Sequence, residues 1–272
     1  MLAKLLKYDL KAGARMIPVA YLAIAASYLL GLLAKSLKID QLLGTASVLL
    51  ILGAIASVLV TFIFIILRFH KGVFGAEGYL TQTLPVGKGQ IIASKAISAY
   101  IWTVLSILVA ILAVLGLFQL LDMKDIGKYI ELLFGSSFTP FVVFVTVTGF
   151  IQILAYIGEL YFAIALANTR LFIRNNIALS VVFFFAANFV VGLLEIVAML
   201  FIPLGVRISD TGASFTTEIM AGSLSNIDLL ASSQPPLSEI PLGIGSGFAD
   251  LAAGIVLLLL ARWLMAHKTS VK

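Results

Sequence analysis

The sequence predicts an all-α, polytopic membrane protein with six transmembrane helices, an N-terminal amphipathic helix and both termini in the cytoplasm. Its composition, its six long apolar stretches and the placement of its basic residues lead to this fold class. Of the 272 residues, 61% are hydrophobic and 11% are charged, and the mean hydropathy is +1.14. A soluble domain contains about 45–50% apolar and about 25% charged residues, so a water-soluble fold could not bury this much apolar side chain.

Composition also excludes several kinds of functional site. The chain has no cysteine, which excludes disulfides and thiolate metal sites. Its two histidines, His70 and His267, fall at predicted membrane edges, so an intramembrane histidine metal cluster is excluded as well. The lysines are scattered among the spans without an adjoining aromatic platform, and nucleic-acid binding is therefore not expected. We predict that this chain itself binds no cofactor or metal.

Six stretches are long enough to cross the hydrocarbon core, which takes about 20 predominantly apolar residues. They are residues 16–34, 46–67, 96–121, 140–167, 177–204 and 242–265. Each is expected to be helical, because lipid offers no partner for backbone polar groups. Trp102, near the inner end of the third span, fits the aromatic belt at the membrane surface. No composition shift marks a soluble domain, so residues 1–272 are predicted to form a single transmembrane domain.

Basic residues alternate between the connecting segments and predict the orientation. With the N-terminus inside, the inner segments contain 13 of the 18 basic residues, and the outer segments contain five. Cytoplasmic segments of membrane proteins are enriched in lysine and arginine. The pattern places residues 74–90 inside and the acidic loop at residues 205–241 outside. Short apolar pieces of that outer loop, such as Phe215–Leu224, are expected either to dip into the bilayer as re-entrant helices or to form a surface cap.

Residues 1–15 form a predicted amphipathic helix on the inner leaflet. Leucines recur at helical spacing on one face, and Lys4, Lys7 and Lys11 occupy the opposite face. Asp9 falls on the apolar face, where a carboxylate is costly without a partner. Two interpretations remain open for Asp9: a hydrated carboxylate that reaches the headgroups, or a contact with a partner protein or a cytoplasmic loop.

The inner segment between the second and third spans reads FGAEGYLTQTLPVGKGQIIASK from Phe74 to Lys95. Its glycines let the backbone turn away from the membrane axis, and Pro85 ends a short helix at Leu84. Tyr79, Leu80 and Leu84 give that helix an apolar side. The segment therefore predicts a short cytoplasmic helix parallel to the membrane, with apolar residues that suit a groove in another molecule.

Three motifs carry a family resemblance. They are LLKYDLKAGAR at Leu5–Arg15, EGYLTQTLP at Glu77–Pro85 with the following Ser94, Lys95 and Trp102, and FAIALANTR at Phe162–Arg170. In order and spacing they resemble the membrane subunits of type-2 ATP-binding-cassette (ABC) exporters, in particular the short permeases of Gram-positive bacteria. The likeness covers most of the chain, is most specific at EGYL-x-x-TLP and is weakest in the acidic outer loop.

In that family the loop after the second span is the coupling helix, which docks into the ATPase. The resemblance therefore implies a docking element that consists of Glu77, Gly78, Tyr79, Leu80, Thr83, Leu84 and Pro85. It also implies a separate ABC ATPase subunit that binds ATP and Mg²⁺, a second permease chain that is identical or homologous, and a bacterial plasma membrane. The chain itself has no P-loop, since Gly87-Lys88-Gly89-Gln90 has neither the spacing nor the hydroxyl of G-x-x-x-x-G-K-[ST].

Three acidic residues, Glu159, Glu195 and Asp250, lie within predicted spans. Such residues usually face protein or water, because an aspartate at the helix centre costs about +2.5 to +3.5 kcal/mol on insertion scales. One interpretation is a substrate path, in which a hydrated cavity handles a cationic or amphipathic substrate. The other is that each acid is protonated or paired locally. We favour the local interpretation for Glu159 and Asp250 and leave Glu195, the deepest of the three, open.

These observations predict a permease subunit that exports an amphipathic peptide, antibiotic or lipid and is not itself an enzyme. ATP hydrolysis in the separate ATPase would drive transport. The alternative is an ion-coupled secondary transporter that uses Glu159 and Glu195, but the inverted repeats typical of that class are not found. A membrane-embedded enzyme would need a cluster of catalytic or metal-binding groups in the membrane, which two peripheral histidines cannot provide.

Overall fold

The structure is a computed structural model that describes residues 2–75, 78, 86–123, 127, 131, 135, 137–169, 172, 176–209, 212–224 and 241–268. Within these residues the chain has seven helices and three short strands. The helices are α1 (Leu2–Ser36), α2 (Asp40–Val73), α3 (Lys88–Leu120), α4 (Thr139–Ala167), α5 (Asn176–Phe201), α6 (Met220–Leu224) and α7 (Gly245–His267). The strands are β1 (Gly205–Ser209), β2 (Gly212–Thr216) and β3 (Leu242–Gly243).

Six of the described helices, all except α6, are long and apolar enough to span a membrane. The mean hydropathy of their most apolar windows runs from 1.9 in α7 to 3.0 in α2. Large apolar side chains also remain outside the protein core, such as Phe185 and Phe189, which are 65% and 67% exposed. A lipid environment accounts for these exposed side chains, since lipid accepts apolar surface that water does not. The chain is a multi-pass membrane protein, as the sequence predicts.

The helix ends follow local chemistry. Lys38 and Asp122, just beyond α1 and α3, adopt positive φ angles of 56° and 51°, a conformation that commonly ends helices. α5 ends at Phe201, shortly before Pro203, because proline cannot continue a helix. α7 begins at Gly245, three residues after the predicted start of its span. The reason is that Leu242 and Gly243 instead pair with Val206 and Gly205 of β1.

The first compact unit contains residues 1–124, 168–170 and 262–272. Its helices α1, α2 and α3 pack against one another, around a core of Ile24, Leu50, Ala54 and Ala113. Each has between 33 and 35 residues, which at 1.5 Å per residue gives roughly 50 Å. A hydrocarbon core is only about 30 Å thick, so the three helices extend beyond it.

Residues 2–15 and the first predicted span lie in a single helix, α1. Its buried residues form a stripe that starts at Asp9 and Gly13 and continues through Ile17, Ile24 and Gly31. The lysines at positions 4, 7 and 11 are exposed, as the amphipathic pattern predicts. This N-terminal segment therefore packs as an extension of the first span.

The second compact unit contains residues 125–167 and 171–261. Helices α4 and α5 pack together, and Gly158 of α4 lies against Gly254 of α7, where a built Cβ would be 2.9 Å from a backbone oxygen. The outer loop contributes an antiparallel sheet in the order β2-β1-β3. Phe215 thus belongs to a strand, and the only described helix in this loop is the five-residue α6. The described part of the loop has no re-entrant helix.

Candidate functional site: the base of the α2–α3 loop and an acidic cluster

The loop predicted to dock an ATPase leaves α2 at Val73 and joins α3 at Lys88. Of the seven predicted docking residues, Gly78 is described, and Glu77, Tyr79, Leu80, Thr83, Leu84 and Pro85 lie outside the described residues. The Gly78 N–H donates a hydrogen bond to the Gly75 carbonyl at 2.8 Å. A Cβ at position 78 would overlap the carbonyl oxygen of Val73. Gly78 therefore lies close against the end of α2, at a position where a side chain would clash with the backbone.

A buried ionic cluster lies at the base of this loop. The Asp9 Oδ1 atom is 3.3 Å from Nη2 of Arg68 and 3.4 Å from Nζ of Lys95. Ser94 Oγ donates a hydrogen bond to the other carboxylate oxygen of Asp9 at 3.1 Å. Asp9 is 6% exposed and Lys95 is 7% exposed. We call these four residues, Asp9, Arg68, Ser94 and Lys95, the base cluster.

The base cluster joins three helices at one level. Asp9 comes from α1, Arg68 from the end of α2, and Ser94 and Lys95 from the start of α3. All four lie just outside the predicted spans, on the side predicted to be cytoplasmic. Asp9 therefore pairs with basic residues of its own helix bundle, because Arg68 lies within α2 and Lys95 within α3. These two residues bound the inner segment that the sequence predicts.

Glycines bring the three helices close together around this cluster. A Cβ at Gly72 would be 2.9 Å from Lys95 Nζ, and a Cβ at Gly13 would overlap the indole ring of Trp102. Trp102 is only 9% exposed, so it packs inside the helix bundle, although the sequence pattern placed it in an interfacial belt. The N-terminal part of α1 is thus held against α2 and α3 by both ionic and steric contacts.

The second unit brings together the three carboxylates predicted for a substrate path. Glu159 of α4 is 1% exposed and accepts a hydrogen bond from Asn188 Nδ2 of α5 at 3.1 Å. Asp250 of α7 is 2% exposed and interacts electrostatically with Glu195 of α5 and with Glu159, and its buried Oδ1 atom has no hydrogen-bond partner among the described residues. Tyr156, one helical turn before Glu159, also interacts with all three acids. We call Tyr156, Glu159, Asn188, Glu195 and Asp250 the acidic cluster.

The acidic cluster can act chemically in two ways. Carboxylates that share one buried site strongly disfavour simultaneous ionisation, so the cluster can hold protons or bind a positively charged group. Asn188 supplies an amide donor that fixes the orientation of Glu159. No group of three histidine, cysteine or acidic residues among the described residues has an arrangement that could hold a metal ion.

Sequence reasoning identified the acids and missed their neighbours. Asn188 and Glu195 are seven residues apart on α5, and Tyr156 and Glu159 are three apart on α4. Both spacings place two polar side chains on one helix face, so helical periodicity could have pointed to Asn188 and Tyr156. No comparable signal links Asp9 to Ser94, because that contact joins residues 85 positions apart.

Comparison of the chain with known protein families, with curated proteins and with solved structures found no match. The likeness to ABC exporter permeases is therefore carried by the three sequence motifs alone.

Proposed function

We propose that this chain is the membrane-spanning permease subunit of an ATP-driven ABC exporter. In this proposal a separate ATPase subunit hydrolyses ATP, and the loop between α2 and α3 passes the resulting movement to the membrane helices. Two permease chains, identical or homologous, would enclose the substrate path. The substrate would be an amphipathic peptide, antibiotic or lipid.

The base cluster is the observation that carries this proposal. A docking loop transmits movement only if its two ends are firmly connected to the helices that must move. Arg68 lies in the last turns of α2 and Lys95 in the first turns of α3, so both flank the loop, and both contact Asp9 within 3.4 Å. An ordinary connector that rests on lipid does not need a buried ionic link between the helices at its base.

The direct test is purification of the tagged chain in mild detergent, followed by identification of the proteins that accompany it. We expect an ABC ATPase that binds in stoichiometric amount, and ATP hydrolysis by the complex that rises when substrate is added. Leu84→Asp and Glu77→Lys should abolish this stimulation while membrane insertion stays normal. Asp40→Lys, which changes an exposed acidic residue at the other end of α2, is the matched control. Normal stimulation in the Leu84 and Glu77 variants would refute the docking role.

The acidic cluster favours a second candidate, an ion-coupled secondary transporter. Three carboxylic side chains from three membrane helices meet there, and such groups form proton relays in other transporters. The two candidates differ in their energy source. Transport by the isolated chain in liposomes, driven by a proton gradient and without ATP, would favour the secondary transporter and contradict the first proposal.

A further inference from the structure

A short helical stalk underlies the α2–α3 loop. It consists of residues 2–15 of α1, 68–73 of α2 and 88–95 of α3, which lie outside the predicted spans but inside the described helices. We call these residues the inner stalk. The loop begins at the end of one stalk segment and ends at the start of another, so its position depends on how the stalk is held together.

Asp9 is the shared contact inside the inner stalk. One of its oxygens, Oδ1, contacts both Arg68 and Lys95, and the other accepts the hydrogen bond from Ser94. These contacts extend from α1 to both helices that carry the loop. A carboxylate at this level is therefore placed to hold together the two helices that carry the loop, because it attracts a cationic side chain of each.

Close packing restricts the side chains of the inner stalk, so they cannot easily rearrange when the Asp9 carboxylate is changed. Gly72 lies directly against the Lys95 ammonium, and Gly13 lies directly against Trp102. Arg262 of α7 also lies over the first turn of α3, where a Cβ at Gly89 would be 3.2 Å from its Nε atom. These close approaches fix the side chains around Asp9, so a change in the carboxylate acts on the relative positions of the helices.

We propose that Asp9 is the positioning residue of the α2–α3 loop, and that residues 2–15 belong to the coupling apparatus. This inference rests on the proposed function only in that the loop docks an ATPase. Through Asp9, movement of either loop end is passed to α1 and so to the first membrane span. The N-terminal segment then transmits movement between the loop and the first membrane span, in addition to any contact it makes with the inner leaflet.

The test is a distance measurement between spin labels on the two sides of the loop. The natural chain has no cysteine, so Lys71→Cys and Gln90→Cys give a specific label pair at two exposed positions. Double electron–electron resonance (DEER) spectroscopy of the full chain in lipid nanodiscs would give the distribution of distances between the two spin labels. In the otherwise unchanged chain we expect one narrow population.

Asp9→Asn should broaden this distribution and shift it to longer distances, because Asn keeps the shape of the side chain but removes its charge. Ser94→Ala removes the hydrogen bond to Asp9, together with the one to the Ile91 carbonyl of its own helix, but keeps both ion pairs, and should cause a smaller shift in the same direction. Asp122→Asn is the matched control, since Asp122 pairs with Lys35 of α1 at 2.7 Å but is exposed and lies at the far ends of these helices. Its distribution should match that of the parent chain.

Unchanged distributions in both Asp9→Asn and Ser94→Ala would overturn the inference, and so would an equal change in Asp122→Asn. If Asp9→Asn does not fold, Ser94→Ala and Asp9→Glu still decide the question, because both keep the ion pairs and alter their geometry. The measurement needs no ATPase. If Asp9→Asn widens the distance distribution and the chain binds no ATPase, the role of Asp9 is supported and the exporter proposal is contradicted. If the chain binds an ATPase and Asp9→Asn does not widen the distribution, the exporter proposal is supported and the role of Asp9 is contradicted.

Discussion

Removal of the Asp9 charge should destabilise the protein far more than removal of the Asp122 charge. Both residues pair with a lysine inside the first unit, and both can be changed to asparagine with almost no change in shape. The Asp9 and Lys95 side chains are 9% and 7% exposed, whereas the Lys35 and Asp122 side chains are 33% and 70% exposed. The comparison therefore isolates the effect of burial on an ion pair.

The magnitude follows from that burial. Loss of one partner of a buried ion pair costs about 3–5 kcal/mol, whereas an exposed pair contributes about 0–1 kcal/mol. Because the Arg68 side chain is 31% exposed, water can solvate part of the released charge, and we expect about 3 kcal/mol for Asp9→Asn. At about 2–4 °C per kcal/mol, the midpoint of thermal unfolding should fall on the order of 10 °C. Asp122→Asn should lower it by at most about 4 °C.

The assay is thermal unfolding in detergent micelles, followed by the intrinsic fluorescence of the two tryptophans. Trp102 lies in the same bundle as Asp9 and packs on Gly13, so its emission reports directly on the stalk. A second variant, Asp9→Asn with Lys95→Met, removes the buried ammonium together with the carboxylate and should recover part of the loss. Equal shifts for Asp9→Asn and Asp122→Asn, or no recovery in the double variant, would refute the assignment of a buried ion pair.

Three further predictions test other parts of the structure. Gly158→Ala should destabilise the protein, because its Cβ would be 2.9 Å from the carbonyl oxygen of Gly254 in α7. Gly149→Ala, in the same helix, has no atom within 4 Å of its Cβ. It should raise the free energy of unfolding, measured with a chemical denaturant, by about 0.5–1 kcal/mol. A membrane-impermeant maleimide added to intact cells should label Lys38→Cys and spare Lys71→Cys, and the reverse pattern would invert the predicted orientation. Glu159→Gln should lower the export of a cationic amphipathic substrate about tenfold, a loss of roughly 1.4 kcal/mol, in a vesicle uptake assay, with unchanged thermal unfolding.

The membrane helices could be predicted because their physical signal is local. An apolar stretch of about 20 residues predicts a span by itself, and the fourth predicted span, residues 140–167, differs from α4 by one residue at its start. The ends of the other helices depend on features outside the apolar stretch. α3 begins eight residues before its predicted span, at Lys88, because the polar start of the helix packs into the stalk and not into lipid.

The contacts of the two polar clusters could not be predicted, since each joins residues that are distant in the sequence. Helical spacing places Asp9 on the buried face of its helix, but only the three-dimensional structure shows whether its partner is water, a lipid headgroup or protein. Nothing in a single sequence shows that α4, α5 and α7 bring the acids Glu159, Glu195 and Asp250 together. Local pairing, the interpretation favoured for Glu159 and Asp250, is seen for Glu159, which accepts a hydrogen bond from Asn188. The buried Oδ1 atom of Asp250 has no hydrogen-bond partner among the described residues.

Charge balance distinguishes the two clusters and suggests different roles for them. In the base cluster one carboxylate faces two cations, so the buried charges attract and hold three helices together. In the acidic cluster Glu159 accepts a hydrogen bond from an amide, the carboxylates interact electrostatically with a phenol and with one another, and no ion pair among the described residues reaches them. A site of that kind gains when a proton or a positively charged group enters it. The first cluster therefore suits a permanent contact between helices and the second a site that is filled and emptied. Asp9→Asn should accordingly damage folding and coupling together, whereas Glu159→Gln should damage transport alone.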